Sequence, residues 1–139
     1  MDEQDFLQRL ETRAMAASEL DHTAHLYAAW VYRRNYPARE AAARCAYSLS
    51  RFAMTHGVAE KYHHTLTMAL LAILYRRLDD EPYLLSSWDR FLSANPDLVR
   101  NARSVVCEYY SEARLADDDA RRAFVQPDLK PLPTGGVLH

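Results

Sequence analysis

The chain has 139 residues, 49% hydrophobic and 26% charged, the size and balance of one soluble globular domain, which excludes a disordered chain. Its formal charge of −2, with basic residues scattered among acids, offers nucleic acid no positive face. The densest apolar run, residues 66–75, stops at Arg76, short of the roughly 18–20 residues that a bilayer span needs.

Three glycines in the whole chain leave little material for hairpin turns, and apolar residues recur at spacings of three and four, so the expected class is all-α. A first helix is predicted over residues 2–12, capped by Asp2, with Phe6, Leu7 and Leu10 inward. After a loop to Leu20, Asp21 caps a second helix over 21–35. It ends before Tyr36-Pro37, because the residue preceding a proline avoids helical backbone. Pro37 opens a third helix, alanine-dense from Ala38 to Ala46, which Gly57 stops after His56. A fourth is predicted to run unbroken over 58–78. Asp79-Asp80-Glu81-Pro82 interrupts the chain, a fifth helix follows to Ala94, and Asn95-Pro96-Asp97 starts a sixth carrying Val99, Val106 and Tyr110. Residues 111–124 read as a shorter, broken helical stretch in which Asp117-Asp118-Asp119 marks a helix N-terminus. From Gln126 onward Pro127, Pro131 and Pro133 forbid helix and favour an extended strap. The expected architecture is a compact bundle of five to seven helices over residues 1–125, with 126–139 as a strap packed on the same domain. No internal repeat is visible.

The acidic start Asp2-Glu3-Gln4-Asp5 is unlike a secretion leader, and Cys45 and Cys107 share no CxxC spacing, so two reduced thiols and a cytoplasmic location are expected.

Histidine is where chemistry could reside. His22 and His25 stand three apart on the second helix, and His63 and His64 lie on the fourth. On a wheel at about 100° per residue, His63 falls beside Leu70 and Leu74, whereas His64 points nearly opposite Leu66. His22, His25 and His63 could then converge in a small polar pocket, with Tyr62 and Thr67 adding hydroxyls. Three imidazoles suit zinc, copper or iron with an open coordination position. Without a metal, one imidazole could act as general acid or base on a small substrate oriented by Tyr62 or a threonine. No HExxH pattern enforces either chemistry, and Glu19, Asp21 and Glu60 carry no diagnostic spacing. The competing explanation is structural: histidines at helix starts cap or bond locally, and the recurrent aromatics fill a core. The pairs Arg33-Arg34, Arg76-Arg77 and Arg121-Arg122 lie near helix ends, where cations offset the macrodipole.

Four segments carry a resemblance. They are Asp21-His22-Thr23-Ala24-His25-Leu26, Glu60-Lys61-Tyr62-His63-His64-Thr65-Leu66-Thr67, Tyr109-Tyr110-Ser111, and the run from Phe124 through Pro127-Asp128-Leu129-Lys130-Pro131-Leu132-Pro133. They resemble an uncharacterised family of small all-helical bacterial proteins with an H-x-x-H-L element, a Y-H-E-T-L-T element and a C-terminal P-D-L-x-P-L-P tail. The resemblance implies His22, His25, Tyr62, His63 and Thr65 as site positions. His64 stands where that pattern has glutamate, so an acid/base or ligand role of the glutamate is lost here or passes to imidazole. The leading expectation is a small enzyme acting on a low-molecular-weight metabolite at a histidine-rich interhelical pocket, with a transition metal as the cofactor it could hold. The alternative is a non-catalytic binding or homodimerising helical module whose histidines are structural.

Overall fold

The computed structural model describes residues 2–133. Among the described residues there are eight α-helices and no strand, so the chain is all-helical, with one helix more than the sequence suggested. No helix among them is long and apolar enough to cross a membrane. Contacts divide the chain into two compact units, Met1–Tyr62 and His63–His139.

In the first unit α1 (Glu3–Glu11) starts where the Asp2 carboxylate accepts the Asp5 N–H at 2.7 Å, and it buries Phe6, Leu7 and Leu10. It ends at Arg13, whose φ of 61° lies in the left-handed region that usually calls for glycine. A 3-10 turn, Ala17–Glu19, leads to α2 (His22–Asn35), capped by Asp21, and α3 (Ala38–Thr55) follows Tyr36 and Pro37. The two long helices form an antiparallel hairpin. Tyr32 reaches Ser48 with its hydroxyl at 2.7 Å, and the Arg44 guanidinium lies 4.2 Å from the centre of the Tyr36 ring. Four residues onward along one helix of the hairpin thus answer to four residues back along the other. Cys45, fully buried in this seam, has its thiol pushed up to about 12 by burial. It packs as a small apolar group.

The fourth helix does not run unbroken from Val58. Gly57 turns left-handed at φ 69°, the Val58 N–H returns to the Ala53 carbonyl, and Ala59–Lys61 form a single 3-10 turn. Tyr62 and His63 are then extended, and α4 (His64–Asp80) starts afresh. The physical reason is a cap: the His63 ring takes up the Leu66 N–H, which offers the backbone an alternative to continuing the helix.

In the second unit α4 is buried on almost every side from Leu71 to Tyr75. Around it come a 3-10 turn, Pro82–Leu85, then α5 (Trp88–Ala94), α6 (Pro96–Val106), α7 (Glu112–Ala116) and α8 (Asp118–Arg122). Tyr110 lies beyond the end of α6. Arg77, in the last turn of α4 as expected, also clamps the α5–α6 corner: its guanidinium donates to both Asp97 oxygens at 2.8 Å and to Asn95 Oδ1 at 3.0 Å. Asn95 is itself buried and donates to the Phe91 carbonyl. Within α6, Asn101 leaves helical backbone (φ −160°, ψ 80°) and accepts the Ser104 N–H on its side chain, so the helix is two short pieces with an internal cap. Residues 124–133 carry no helix, as their prolines require. Leu132 is buried and Leu129 exposed.

Candidate functional site

His63 sits at the cap of α4 rather than on a helix face. Its Nδ1 accepts the Leu66 N–H at 3.0 Å, and its Nε2 lies 2.8 Å from the Leu115 carbonyl oxygen. An amide can only donate and a carbonyl only accept, so the ring is held as the Nε2–H tautomer with both nitrogens engaged by backbone. Thr65 is completely buried, while Leu66 and Leu70 are only half-buried.

Thr65 extends the same junction. Its hydroxyl donates to the Ala123 carbonyl at 2.8 Å and accepts the Val125 N–H at 3.1 Å. The Tyr110 hydroxyl donates to the Val125 carbonyl at 2.6 Å. Ser111 gives its N–H and its hydroxyl to the two Asp128 oxygens at 2.8 and 2.6 Å, and the Leu129 N–H donates to the Tyr109 carbonyl. The Asp128 carboxyl is held below the usual range chiefly by the Ser111 hydroxyl. Three of the four segments that carry the family resemblance therefore meet, through His63, Thr65, Tyr109 to Ser111 and Val125 to Leu129, in one hydrogen-bonded junction of the second unit. Tyr62 precedes it as the residue that closes the 3-10 turn.

His22 and His25 belong to the first unit, at the start of α2, and both are exposed. The Asp21 carbonyl lies 2.7 Å from His25 Nδ1. The proton is therefore on Nδ1, and Nε2 keeps the lone pair. Desolvation of the ring holds its pKa below the ordinary imidazole value against the opposing pull of the Asp21 carbonyl. His56 bridges the two ends of its own unit, with Nε2 3.1 Å from the Met15 carbonyl and its ring 4.3 Å from that of Phe52. His64, the first residue of α4, is half-buried, and burial, followed by the neighbouring His63, lowers its pKa. His139 lies outside the described residues.

Each unit thus has its own histidines: of the residues named from sequence, His22, His25 and Tyr62 belong to the first unit and His63 and Thr65 to the second. Among the described residues no group of three or more His, Cys, Asp or Glu side chains is placed to hold a metal ion.

A further polar cluster was not anticipated. Asn101, Arg103, Ser104, Cys107, Glu108 and Glu112 line an open cleft at the end of α6. The Cys107 thiol donates to one Glu112 oxygen at 2.9 Å, and Arg103 donates to the other at 3.0 Å. Burial and then Glu112 push the thiol pKa up, whereas Arg103 holds the Glu112 carboxyl down. Proton transfer from thiol to carboxylate is therefore uphill, and the cluster keeps Cys107 a thiol. The spacing of five across a helix end belongs to no regular helical pattern, so no periodicity could have signalled it.

No protein-family model, curated protein or solved structure matches this chain. The family resemblance rests on its motifs alone.

Proposed function

We propose that the chain is a non-catalytic helical binding module, a bundle tied by its extended C-terminal strap, whose histidines complete the structure. The observation that carries this reading is the double engagement of His63. A metal ligand or a proton acceptor needs a ring nitrogen with a lone pair to offer, and here the Nδ1 lone pair faces the Leu66 N–H while Nε2–H is spent on Leu115. Recruiting His63 to chemistry would uncap α4 and orphan a carbonyl. Free thiols at Cys45 and Cys107 accord with a cytoplasmic setting.

The test compares His63→Ala with His63→Asn. Asparagine is a good cap acceptor but cannot reach Leu115, so alanine should cost about 1–3 kcal/mol and asparagine distinctly less, read from denaturant midpoints. If His63→Ala keeps its full stability yet loses binding of zinc, copper or a small ligand, the module reading fails.

His25 supports a second reading. With Nδ1–H fixed on the Asp21 carbonyl, Nε2 keeps the lone pair that a general base or a transition-metal ligand uses. A small enzyme acting on a metabolite, with zinc, copper or iron at His22 and His25, would then be centred on the first unit. Zinc titration followed by imidazole NMR should shift the resonances of both rings together, and unshifted rings at saturating zinc would remove the metal version.

A further inference from the structure

The outer stripe of α3 pairs exposed apolar side chains with charges in a pattern that complements itself. Tyr47 and Met54 are 67% and 55% exposed and stand seven residues apart, on the same side of the helix. Between them Arg51 is exposed, and its side chain has no ion pair or hydrogen bond among the described residues. Toward the N-terminal end Glu40 pairs with Arg44 at 2.8 Å, and Pro37, Glu40, Ala43 and Arg44 are all exposed. Pro37, Glu40, Arg44, Tyr47, Arg51 and Met54 follow the alternating three-four spacing of a coiled-coil seam, where antiparallel partners set the residue before a four-step opposite one before a three-step.

We propose that α3 packs antiparallel against α3 of a second copy of this chain, about a two-fold axis level with Cys45 and Ala46. In this register Glu40 faces Arg51 of the second copy, Tyr47 faces Arg44, and Met54 faces Pro37, each twice by symmetry. The otherwise unpaired Arg51 gains a carboxylate, and Arg44 lies against an aromatic face, as it already does on Tyr36 within its own chain. Ala43, small and exposed beside the axis, allows the two backbones to approach. A slip of one heptad that keeps Tyr47 and Met54 in the seam carries Glu40 past both arginines. The opposite slip sets Glu40 on Arg44 but leaves Met54 with no α3 residue to face. A parallel arrangement sets each arginine against its own copy. Charges and apolar side chains together therefore select one register.

A single pair of helices of about 27 Å buries less than the roughly 1,200 Å² of a stable interface, so the dimer is weak and forms in the high micromolar range. This inference rests on reading the chain as a binding module and names its partner.

The experiment is sedimentation equilibrium of the full chain from about 10 µM to about 1 mM, at low and high salt. The expected result is a monomer–dimer equilibrium weakened by salt. Arg51→Glu and Glu40→Arg, both at exposed positions, should each weaken it by roughly tenfold or more, and the double swap should recover most of the loss. A chain that stays monomeric at about 1 mM, single variants that associate like the parent, or a double swap no better than either single overturns the proposal. The His63 comparison judges the module reading separately, so a monomer with a structural His63 removes the second copy alone.

Discussion

At the scale of the residue, what decides a histidine's role is which nitrogen still has a lone pair to offer. His63 and His25 have opposite tautomers because one meets an amide at Nδ1 and the other a carbonyl. The sequence named both residues and could not distinguish them: a helix wheel assigns faces, while capping depends on where the helix begins. Once α4 starts at His64 instead of Val58, the angle computed for His63 has no meaning. A pH dependence follows from the two rings whose pKa is lowered, His25 and His64, chiefly by desolvation of the ring. Their folded pKa lies below the unfolded value of about 6.5, so the neutral form is the one the fold favours. That contribution is fully present above pH about 6.5 and is lost as pH falls through the folded values. Denaturant midpoints should therefore decline between pH of about 7 and about 5, before the carboxylates lowered by partners, such as Asp97 and Asp128, start to protonate. His64→Gln should flatten part of this decline. A parent protein with constant midpoints across that range would contradict the account.

At the scale of the element, helix starts were easier to read than helix interruptions. Asp2, Asp21 and Asn95-Pro96 mark the starts of α1, α2 and α6 as expected, because capping and proline geometry are local. The break at Tyr62 and His63 has no proline or glycine of its own, and the kink at Asn101 depends on a side chain choosing the Ser104 amide. Neither leaves a mark in hydrophobic spacing. The end of α1 offers a sharper test. There Arg13 occupies φ 61°, where an L side chain crowds its own backbone and glycine does not. The Ala14 N–H still reaches back to the Arg9 carbonyl, so the closure of the helix is backbone work and does not need the guanidinium. Arg13→Gly should raise stability by up to about 1 kcal/mol, the relief of strain exceeding the extra freedom of the unfolded chain. A lower melting temperature would mean that the Arg13 side chain makes a contact worth more than the strain.

For the whole molecule, scarcity of glycine and the three-four spacing were enough to establish an all-helical chain, since both sum over many residues and no single boundary matters. How the C-terminal residues attach was only half legible: three prolines exclude helix, but which apolar side chain is covered depends on partners far away in sequence. Leu129 and Leu132 look equivalent between their prolines, yet Leu129 is 57% exposed and Leu132 only 7%. Leu129 contributes through its amide, which donates to Tyr109, and Asp128 contributes through Ser111. The side chain of Leu132 carries the apolar part, worth roughly 1.5–3 kcal/mol if fully buried. Deleting Gln126 to His139 should therefore lower stability by more than about 1 kcal/mol, and Leu132→Ala should account for much of that loss. Leu129→Ala, which keeps the amide and removes only exposed carbon, should leave the melting temperature close to the parent's. Thermal melts of the three variants separate the possibilities: an unchanged deletion variant means residues 126–139 add no stability, and equal losses from the two leucine variants mean that Leu129 is covered in solution.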